Sequence, residues 1–373
     1  MTEYLIATLL AFLLGKAAST ARRRLLRLIL LVTACTPFCY LAGMRAITVG
    51  IDTSVYPRRA FIISSLSSLG STLAQYSSNV EPIYLTTVWV VTKITSDFNM
   101  VLLVSQVLVI APLMYALNRA CPSRVGEGLI LYGIVLFPYT LNVMRQAIAF
   151  SILLIALYAA IDRRPIKFTV VVLLAMGFHL SGILGLLLWP LVAVSNEGTR
   201  AGHALRQNES LRFLMGCGLA LLVIITIAFG DEFTRLLPSI KTTYQYQADH
   251  AGTGDTNITY LVFTVAMAMY CGSILSRKTV QGIKKTEIIA LMSVVIAAGM
   301  LSLLSIITNS LFRLGFLLSF FACPLFAMLL DNDDDGGSRV IVEIAMILLF
   351  LFFFYWFYVH GSAGGVIPYE FAT

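Results

Sequence analysis

The stretch that decides the fold is MVLLVSQVLVIAPLMYALN at residues 100–118, a run of nineteen residues without a charged side chain. A helix of about 20 apolar residues is long enough to span the hydrocarbon core of a bilayer. Comparable runs recur along the chain, and charged residues make up only 12% of its 373 residues, about half of the roughly 25% typical of soluble domains. This composition excludes a water-soluble enzyme. Because the residue alternation of an outer-membrane barrel is absent, the spans are predicted to be helices.

Thirteen apolar segments bounded by charged or turn residues are candidates for membrane crossings. They are residues 4–19, 26–44, 82–95, 100–118, 128–141, 147–161, 168–178, 181–194, 213–229, 258–275, 287–306, 311–330 and 340–358. No internal repeat is visible. We therefore predict one polytopic, all-α integral membrane domain over residues 1–373.

The basic residues set the orientation of this domain. They cluster at residues 22–27, 119–124, 163–167, 200–212, 277–285 and 339. Basic loops face the cytoplasm, so most of the net charge of +7 is loop charge and does not indicate binding to nucleic acid.

One segment has to break the strict alternation of sides. If all thirteen crossed, the cluster at 163–167 would share a face with Arg58 and Arg59. The weakest segment is 82–95, which is short, begins with a proline and contains Lys93; we predict that it is re-entrant or interfacial. Twelve crossings then remain, with thirteen as the alternative, and both termini lie outside.

The outer face then carries two long loops, at residues 45–81 and 230–257, and a tail at residues 360–373. Loops of this length on a compact bundle are usually functional or disordered. Apolar residues at helical spacing in the first loop predict an interfacial amphipathic helix.

A set of ionisable and amide side chains falls at the outer ends of the predicted helices. It comprises Arg45, Asp52, Glu81, Asn142, Arg145, Gln146, His179 and Arg313. Charged groups at membrane depth are costly and tend to mark substrate pathways. Three arginines suit an anion with several oxygens, because guanidinium offers forked donors that match a phosphate. The alternative is that each arginine snorkels or pairs with an acid to hold helices together.

No metal or cofactor is expected. His179 is the only histidine within an apolar run and has no second His or Cys at zinc spacing. The acidic run at residues 331–335 resembles the Asp-x-Asp of sugar transferases, but the predicted topology makes it a solvated cytoplasmic loop.

The order of these residues resembles the EpsG family of bacterial membrane proteins, the Wzy-like polymerases of exopolysaccharide, capsule and O-antigen. The resemblance is carried by Arg45, Gly50-x-Asp52-x-x-x-Tyr56, Glu81-Pro82-Ile83-Tyr84, Asn142-Val143-Met144-Arg145-Gln146, Phe178-His179-x-Ser181, Arg313 and Ile367-Pro368-Tyr369. The chain departs from the family pattern at Ile51, where Thr is frequent, and at Gly182, where Ala is usual.

The resemblance implies a metal-independent glycosyl transfer on the outer face of the bacterial inner membrane, by a helical bundle that is GT-C-like in broad class. The donor is expected to be an oligosaccharide on undecaprenyl pyrophosphate, and the acceptor a lipid-linked repeat unit. Besides these substrates and the lipid bilayer, a chain-length regulator is an expected partner.

Roles follow from the same resemblance. Arg145 and Arg313, and next Arg45, are expected to stabilise the departing pyrophosphate. Asp52, Glu81 or His179 is expected to act as the base, with Asp52 favoured. The remaining candidates are expected to contact sugars or acceptor: Tyr56, Tyr84, Asn142, Gln146, Tyr244, Tyr246 and Tyr369.

Three other functions remain open from the sequence. A ligase that transfers the finished glycan to another lipid uses the same donor chemistry. A flippase or transporter of lipid-linked sugars also needs outer arginines, but favours inverted repeats and discontinuous helices at midplane. An O-acyltransferase needs a route to a cytoplasmic donor, and His179 is predicted on the other side.

Overall fold

The computed structural model describes residues 1–196, 258–276, 280–303 and 309–372. These residues form helices joined by short loops, and an isolated antiparallel bridge joins Arg45 to Phe371. We number the described helices α1 to α16. They are α1 (Thr2–Thr20), α2 (Arg24–Met44), α3 (Ile51–Val55), α4 (Pro57–Leu66), α5 (Leu69–Tyr76), α6 (Pro82–Ile94), α7 (Asn99–Ala120), α8 (Val125–Asn142), α9 (Met144–Ile161), α10 (Pro165–Phe178), α11 (Leu180–Ser195), α12 (Ile258–Ser276), α13 (Gly282–Leu303), α14 (Asn309–Leu318), α15 (Ala322–Asp331) and α16 (Gly336–His360).

Nine stretches within the described ranges are long and apolar enough to cross a membrane. They are α1, α2, α7, α8, α9, α12, α13, the consecutive pair α14 and α15, and α16. Helices α6, α10 and α11 are apolar but shorter. The predicted polytopic, all-α membrane protein is confirmed at this level. The apolar segment at 213–229 lies outside the described residues.

Helix α8 is the innermost helix of the bundle, because its whole length is buried. A helix that is buried all round makes contacts on every face, and two of these contacts depend on glycine. A Cβ added to Gly15 of α1 would lie 2.8 Å from Gly126 Cα, and Gly133 leaves room in the same way for Thr8. Small residues of this kind let membrane helices approach closely.

Helices α2 and α7 lie side by side and antiparallel. Arg27 at the start of α2 donates to Asn118 Oδ1 near the end of α7 at 2.7 Å, while Gly43 at the end of α2 packs on Leu103. The chain therefore leaves α2 and enters α7 at the same end of the bundle, which we call the Arg45 end. The opposite end holds the ion pairs of Glu127 with Lys16 and Arg124.

The segment between these two helices, residues 45–98, folds into a small unit that we call the α3–α6 cap. Its last helix returns along the earlier ones: Trp89 Nε1 donates to Ser67 O at 3.1 Å, and Lys93 Nζ to Ser64 O at 3.3 Å. In place of one interfacial helix, residues 45–81 contain α3, α4 and α5.

The C-terminal tail, residues 361–372, also lies at the Arg45 end and ties several elements together. Ala46 N donates to Glu370 O and Ala372 N to Met44 O, each at 2.8 Å. Tyr4 of α1 donates its hydroxyl to Val366 O at 2.7 Å. The tail thereby joins the first and second helices to the α3–α6 cap.

Candidate functional site

Ionisable residues from four parts of the chain meet at the Arg45 end and form two arginine–carboxylate pairs. The first pair joins Glu81, which precedes α6, to Arg145 in the first turn of α9. The second joins Asp52 of α3 to Arg313 of α14. Each pair links the α3–α6 cap to the membrane bundle.

The Glu81–Arg145 pair is short and nearly enclosed. Arg145 Nη1 lies 2.5 Å from Glu81 Oε2, and the two side chains are 12% and 7% exposed. The same Nη1 donates to Asn79 O at 3.4 Å, and the guanidinium stacks on the ring of Tyr56. These contacts fix the position of Arg145 from three directions.

The Asp52–Arg313 pair is longer and more open. Arg313 Nη1 lies 3.5 Å from Asp52 Oδ2, and the side chains are 37% and 21% exposed. A charge-assisted N–H···O bond is usually about 2.7–2.9 Å long, so these two groups attract each other without closing into a tight contact. Both therefore present atoms toward solvent.

A tight turn places Asp52. Gly50 adopts φ +88°, and a Cβ there would lie 2.8 Å from Leu141 O, so the position requires glycine. The Gly50 N–H donates to Gly365 O of the tail at 2.9 Å, and the Asp52 N–H donates to Asn142 Oδ1 at 2.8 Å. Asp52 is thus held between the tail and the end of α8.

His179 lies at the same end, in the turn between α10 and α11. Gly177, two residues earlier, packs directly on Ile83 next to Glu81. The Ser181 N–H donates to His179 Nδ1 at 3.1 Å, so the histidine caps the start of α11. A ring nitrogen that accepts this bond has no proton, and the neutral imidazole then carries its proton on Nε2.

Arg45 is completely enclosed at the end of α2. Its Nη2 donates to Met144 Sδ at 3.1 Å, and the described residues give Nε and Nη1 no acceptor. Burial lowers the pKa of the Arg45 guanidinium to about 10, so it is charged at neutral pH. The predicted contact between Arg45 and a substrate would require a movement, because no part of its side chain reaches the surface here.

The sequence model of the EpsG family matches residues 28–371, from the start of α2 to the end of the tail. The chain belongs to the EpsG family. This is a family of Wzy-like polysaccharide polymerases. No curated protein and no solved structure is significantly similar to the chain.

The residues of this EpsG-family protein that are predicted to contact sugars or acceptor separate into two groups by their exposure. Tyr56 is half-buried and lies beside Arg145. Gln146, which follows Arg145 in the chain, is also half-buried. Tyr84 is fully buried, and Tyr369 is 8% exposed and donates to Leu41 O at 2.7 Å. A tyrosine ring whose faces are buried cannot stack on a sugar. Tyr244 and Tyr246 lie outside the described residues.

The EpsG-family structure adds one residue that sequence reasoning missed. Tyr139 of α8 packs its ring edge-on against Phe316, one turn after Arg313 in α14, and it interacts electrostatically with Arg313 and Asp52. The sequence does not single out Tyr139, because it lies in an apolar run, where a tyrosine is typical of the aromatic belt at a membrane interface. A usable signal was its position one helical turn before Asn142, since residues three apart share a helix face.

Among the described residues, no group of three or more His, Cys, Asp or Glu side chains is placed to hold a metal ion. The acidic run is engaged elsewhere, at the opposite end of the bundle. Ser123 donates to Asp331 at 2.7 Å, and the Tyr270 hydroxyl donates to the buried Asp333 at 3.1 Å.

Proposed function

We propose that this protein is a polysaccharide polymerase that joins oligosaccharide repeat units carried on undecaprenyl pyrophosphate. The observation that carries the proposal is the pair of arginine–carboxylate contacts at the Arg45 end, one tight and one open. Such an arrangement offers positive charge to a pyrophosphate and a carboxylate to an attacking hydroxyl. The EpsG match supplies the reaction class.

In this proposal the Arg45 end faces the outside of the bacterial inner membrane. The basic clusters that the structure describes, including Arg119, Arg124 and Lys16, lie at the other end, as expected for the cytoplasmic side. Residues 45–98 leave and re-enter the bundle at one end, which supports twelve crossings with 82–95 not crossing. Both termini then lie outside.

The arginines stabilise the leaving group. As the bond between the anomeric carbon and the pyrophosphate breaks, negative charge grows on the phosphate oxygens. Arg313 is exposed enough to meet them, and Arg145 is held rigidly nearby. Preorganised donors lower the barrier without reorganisation during the reaction; the loss of one such donor typically costs about 10²–10³ in kcat. This chemistry needs no metal, because the arginines supply the charge.

Asp52 is the base in this mechanism. Glu81 is held by Arg145 at 2.5 Å and is nearly buried, so its role is to fix the arginine. His179 accepts through Nδ1 and, when neutral, donates through Nε2. Asp52 has the more open carboxylate. It takes the proton of the acceptor hydroxyl as the oxygen bonds to the anomeric carbon, and the bonding electrons leave with undecaprenyl pyrophosphate.

The test is chain extension in cells that lack the native gene and express variants at equal level. Arg145→Ala and Arg313→Ala should each leave glycan of a single repeat unit, while the exposed Arg163→Ala at the opposite end should give a normal ladder. A glycan ladder of undiminished length from both Arg145→Ala and Arg313→Ala would contradict the mechanism. A ligase would give a different pattern, because its loss leaves long chains on the carrier lipid.

The orientation has a separate test by cysteine labelling of intact cells with a membrane-impermeant maleimide. Ser362 and Gln281 are both exposed, and in this proposal they lie on opposite sides of the membrane. Ser362→Cys should be labelled and Gln281→Cys should not, with the unmodified protein as background. Labelling of Gln281→Cys alone would invert the assignment.

A further inference from the structure

Arg45 is bonded differently from Arg145 and Arg313, which each face a carboxylate. Arg45 Nη2 donates to Met144 Sδ at 3.1 Å, and a thioether sulfur is a weak acceptor. Within the described residues, the buried Nε and Nη1 of Arg45 have no acceptor. A buried charge is costly unless it is paired and hydrogen-bonded. This guanidinium is therefore suited to bind an anion.

Arg45 lies beside the candidate site. Its acceptor Met144 directly precedes Arg145 in the first turn of α9. A guanidinium binds phosphate oxygens well, because several N–H donors point at the anion together, and the proposed substrate carries a pyrophosphate. A phosphate group that reached Arg45 would therefore lie next to the turn that holds Arg145.

One side of Arg45 is covered by an extended segment, residues 367–372, which we call the strap. Two backbone bonds, each 2.8 Å long, join residues 44 and 46 to residues 372 and 370. Arg45 and Phe371 are therefore directly opposite each other in an antiparallel bridge, between these two bonds. In a pair of this kind the Cα atoms are about 4.5 Å apart and the side chains lie on the same face.

Two aromatic rings of the strap lie on the face that Arg45 occupies. Side chains two residues apart point to the same side of an extended segment, so Tyr369 accompanies Phe371, and their ring centroids are 5.0 Å apart. Tyr369 is 8% exposed, and its hydroxyl donates to Leu41 O in α2 at 2.7 Å. These contacts hold the strap closed over Arg45.

We propose that the strap gates a phosphate-binding position at Arg45, which is uncovered when a lipid-linked pyrophosphate binds; this inference rests on the proposed function. In the closed form the guanidinium has two donors without acceptors among the described residues. In the open form, phosphate oxygens accept from these donors. The anion thus binds the open form better than the closed form, which is the condition for a ligand to shift a conformational equilibrium.

Release of the strap leaves the preceding part of the tail in place. Val366 is fully buried and accepts from the Tyr4 hydroxyl, and Gly365 accepts from the turn that places Asp52. These bonds anchor the tail just before the strap begins. The strap itself is more open, since Phe371 is 47% exposed. Water can therefore replace the backbone bonds that a release breaks.

The first experiment locks the strap in its closed form. The side chains of Thr48 and Glu370 are both exposed and meet at 2.8 Å, so a Thr48→Cys/Glu370→Cys protein can be bridged by a short bis-maleimide. The measurement is binding of undecaprenyl pyrophosphate to the full-length protein in nanodiscs. The bridge should lower the affinity by roughly 10-fold, as expected when one hydrogen bond to a charged group is lost. An undiminished affinity of the bridged protein would overturn the inference.

Two controls separate the gate from a general effect of modification. N-ethylmaleimide modifies each introduced thiol without joining them, and it should leave the affinity unchanged. Arg119 and Asp162 are exposed and pair at 2.6 Å at the opposite end of the bundle, so bridging an Arg119→Cys/Asp162→Cys protein should not affect binding. An equal loss of affinity from both bridges would contradict the gate, because it would show a general loss of flexibility.

The second experiment follows the strap itself by hydrogen exchange, with Arg45 left in place. Undecaprenyl pyrophosphate should speed exchange of the Ala46 and Ala372 amides, whereas undecaprenol should not. Inorganic pyrophosphate at the same concentration identifies the source of the phosphate: an equal effect means that a free anion suffices, and no effect means that the carrier lipid is needed. Unchanged or slower exchange with both phosphate-bearing probes would refute the gate.

The role of Arg45 is tested by combining its loss with the bridge. In an Arg45→Gln background, the bridge between positions 48 and 370 should have no further effect on affinity, while Arg45→Lys should retain part of it. A full effect of the bridge without the guanidinium would show that the strap acts elsewhere. If Arg45→Gln fails to fold, the bridge and the exchange measurement still decide, because both keep Arg45.

Failure of the gate is distinguishable from failure of the proposed function. If Arg313→Ala abolishes binding of undecaprenyl pyrophosphate while the bridged and free straps bind it equally, the site stands and the gate is refuted. If the unmodified protein binds undecaprenyl pyrophosphate no better than undecaprenol, the proposed function itself fails.

Discussion

Arg145 Cζ lies 4.4 Å from the centroid of the Tyr56 ring. Tyr56 connects α3 to α4, so this contact attaches the α3–α6 cap to the first turn of α9. A guanidinium over an aromatic face contributes about 0.5–2 kcal/mol, depending on how far it is desolvated. The ring therefore helps to hold Arg145 where a pyrophosphate would meet it.

Tyr56→Phe keeps an aromatic face and should retain chain extension, whereas Tyr56→Ala loses the stack and should shorten the ladder. The measurement is the distribution of chain lengths on a polyacrylamide gel at equal protein level. If Tyr56→Phe were as defective as Tyr56→Ala, the hydroxyl, and with it a direct contact to a sugar, would be the better explanation.

The Glu81–Arg145 pair should matter strongly for stability. Removing one partner of a buried ion pair leaves the other charge uncompensated and typically costs about 3–5 kcal/mol. Glu81→Ala should therefore lower the melting temperature clearly. Asp162→Ala breaks the more exposed pair with Arg119, whose side chains are 26% and 34% exposed, and should cost less than about 1 kcal/mol. Similar melting temperatures for the two variants would contradict this ranking.

Asp52→Asn should separate binding from turnover. The loss of a general base typically costs about 10²–10⁴ in rate, so chain extension should fall to the level of single repeats. Binding of undecaprenyl pyrophosphate should be retained or tightened, because Arg313 loses its competing carboxylate. A variant that still extends chains at the normal rate would exclude Asp52 as the base.

The packing around Gly182 explains why the chain has glycine where the family pattern usually has alanine. A Cβ at this position would lie 2.6 Å from both Ala175 C and Met176 N, which are backbone atoms that cannot rotate away. Gly182→Ala should therefore destabilise the turn that carries His179 and lower the melting temperature. Gly70→Ala in α5 is the control: nothing lies within 4 Å of its Cβ position, and the exchange should be neutral or stabilising. Equal stability of the two variants would show that the turn can relax.

The sequence predicts which residues share the Arg45 end, because the alternation of apolar segments and charged loops is a local property. The sequence does not predict which arginine pairs with which carboxylate. Asp52 and Arg313 are on helices α3 and α14, and their contact depends on how the α3–α6 cap seats on the bundle. Of the two sequence-based alternatives, the structure shows ion pairing for Arg145 and Arg313, and substrate contact stays a prediction.

Burial was the property that the sequence hid most completely. Arg45 directly follows a spanning helix and is expected at the surface, yet the bridge to Phe371 and the neighbouring tail enclose it. Tyr84 and Tyr369 are buried as well. A pattern along the chain gives the depth of a residue in the membrane, but only the packed structure shows which side chains another segment covers.

The tail also bears on the biogenesis of the protein. Tyr4 and Val366 are 362 positions apart and bond directly, and Gly365 receives the N–H of the turn that places Asp52. Contacts between such distant residues form late, and these two cannot form before residues 365 and 366 have been synthesised. A partly synthesised chain with its earlier helices already inserted lacks this closure. The turn that places Asp52 is therefore complete only after residues 361–372 have been made and folded back, so a chain that stops before them lacks this support.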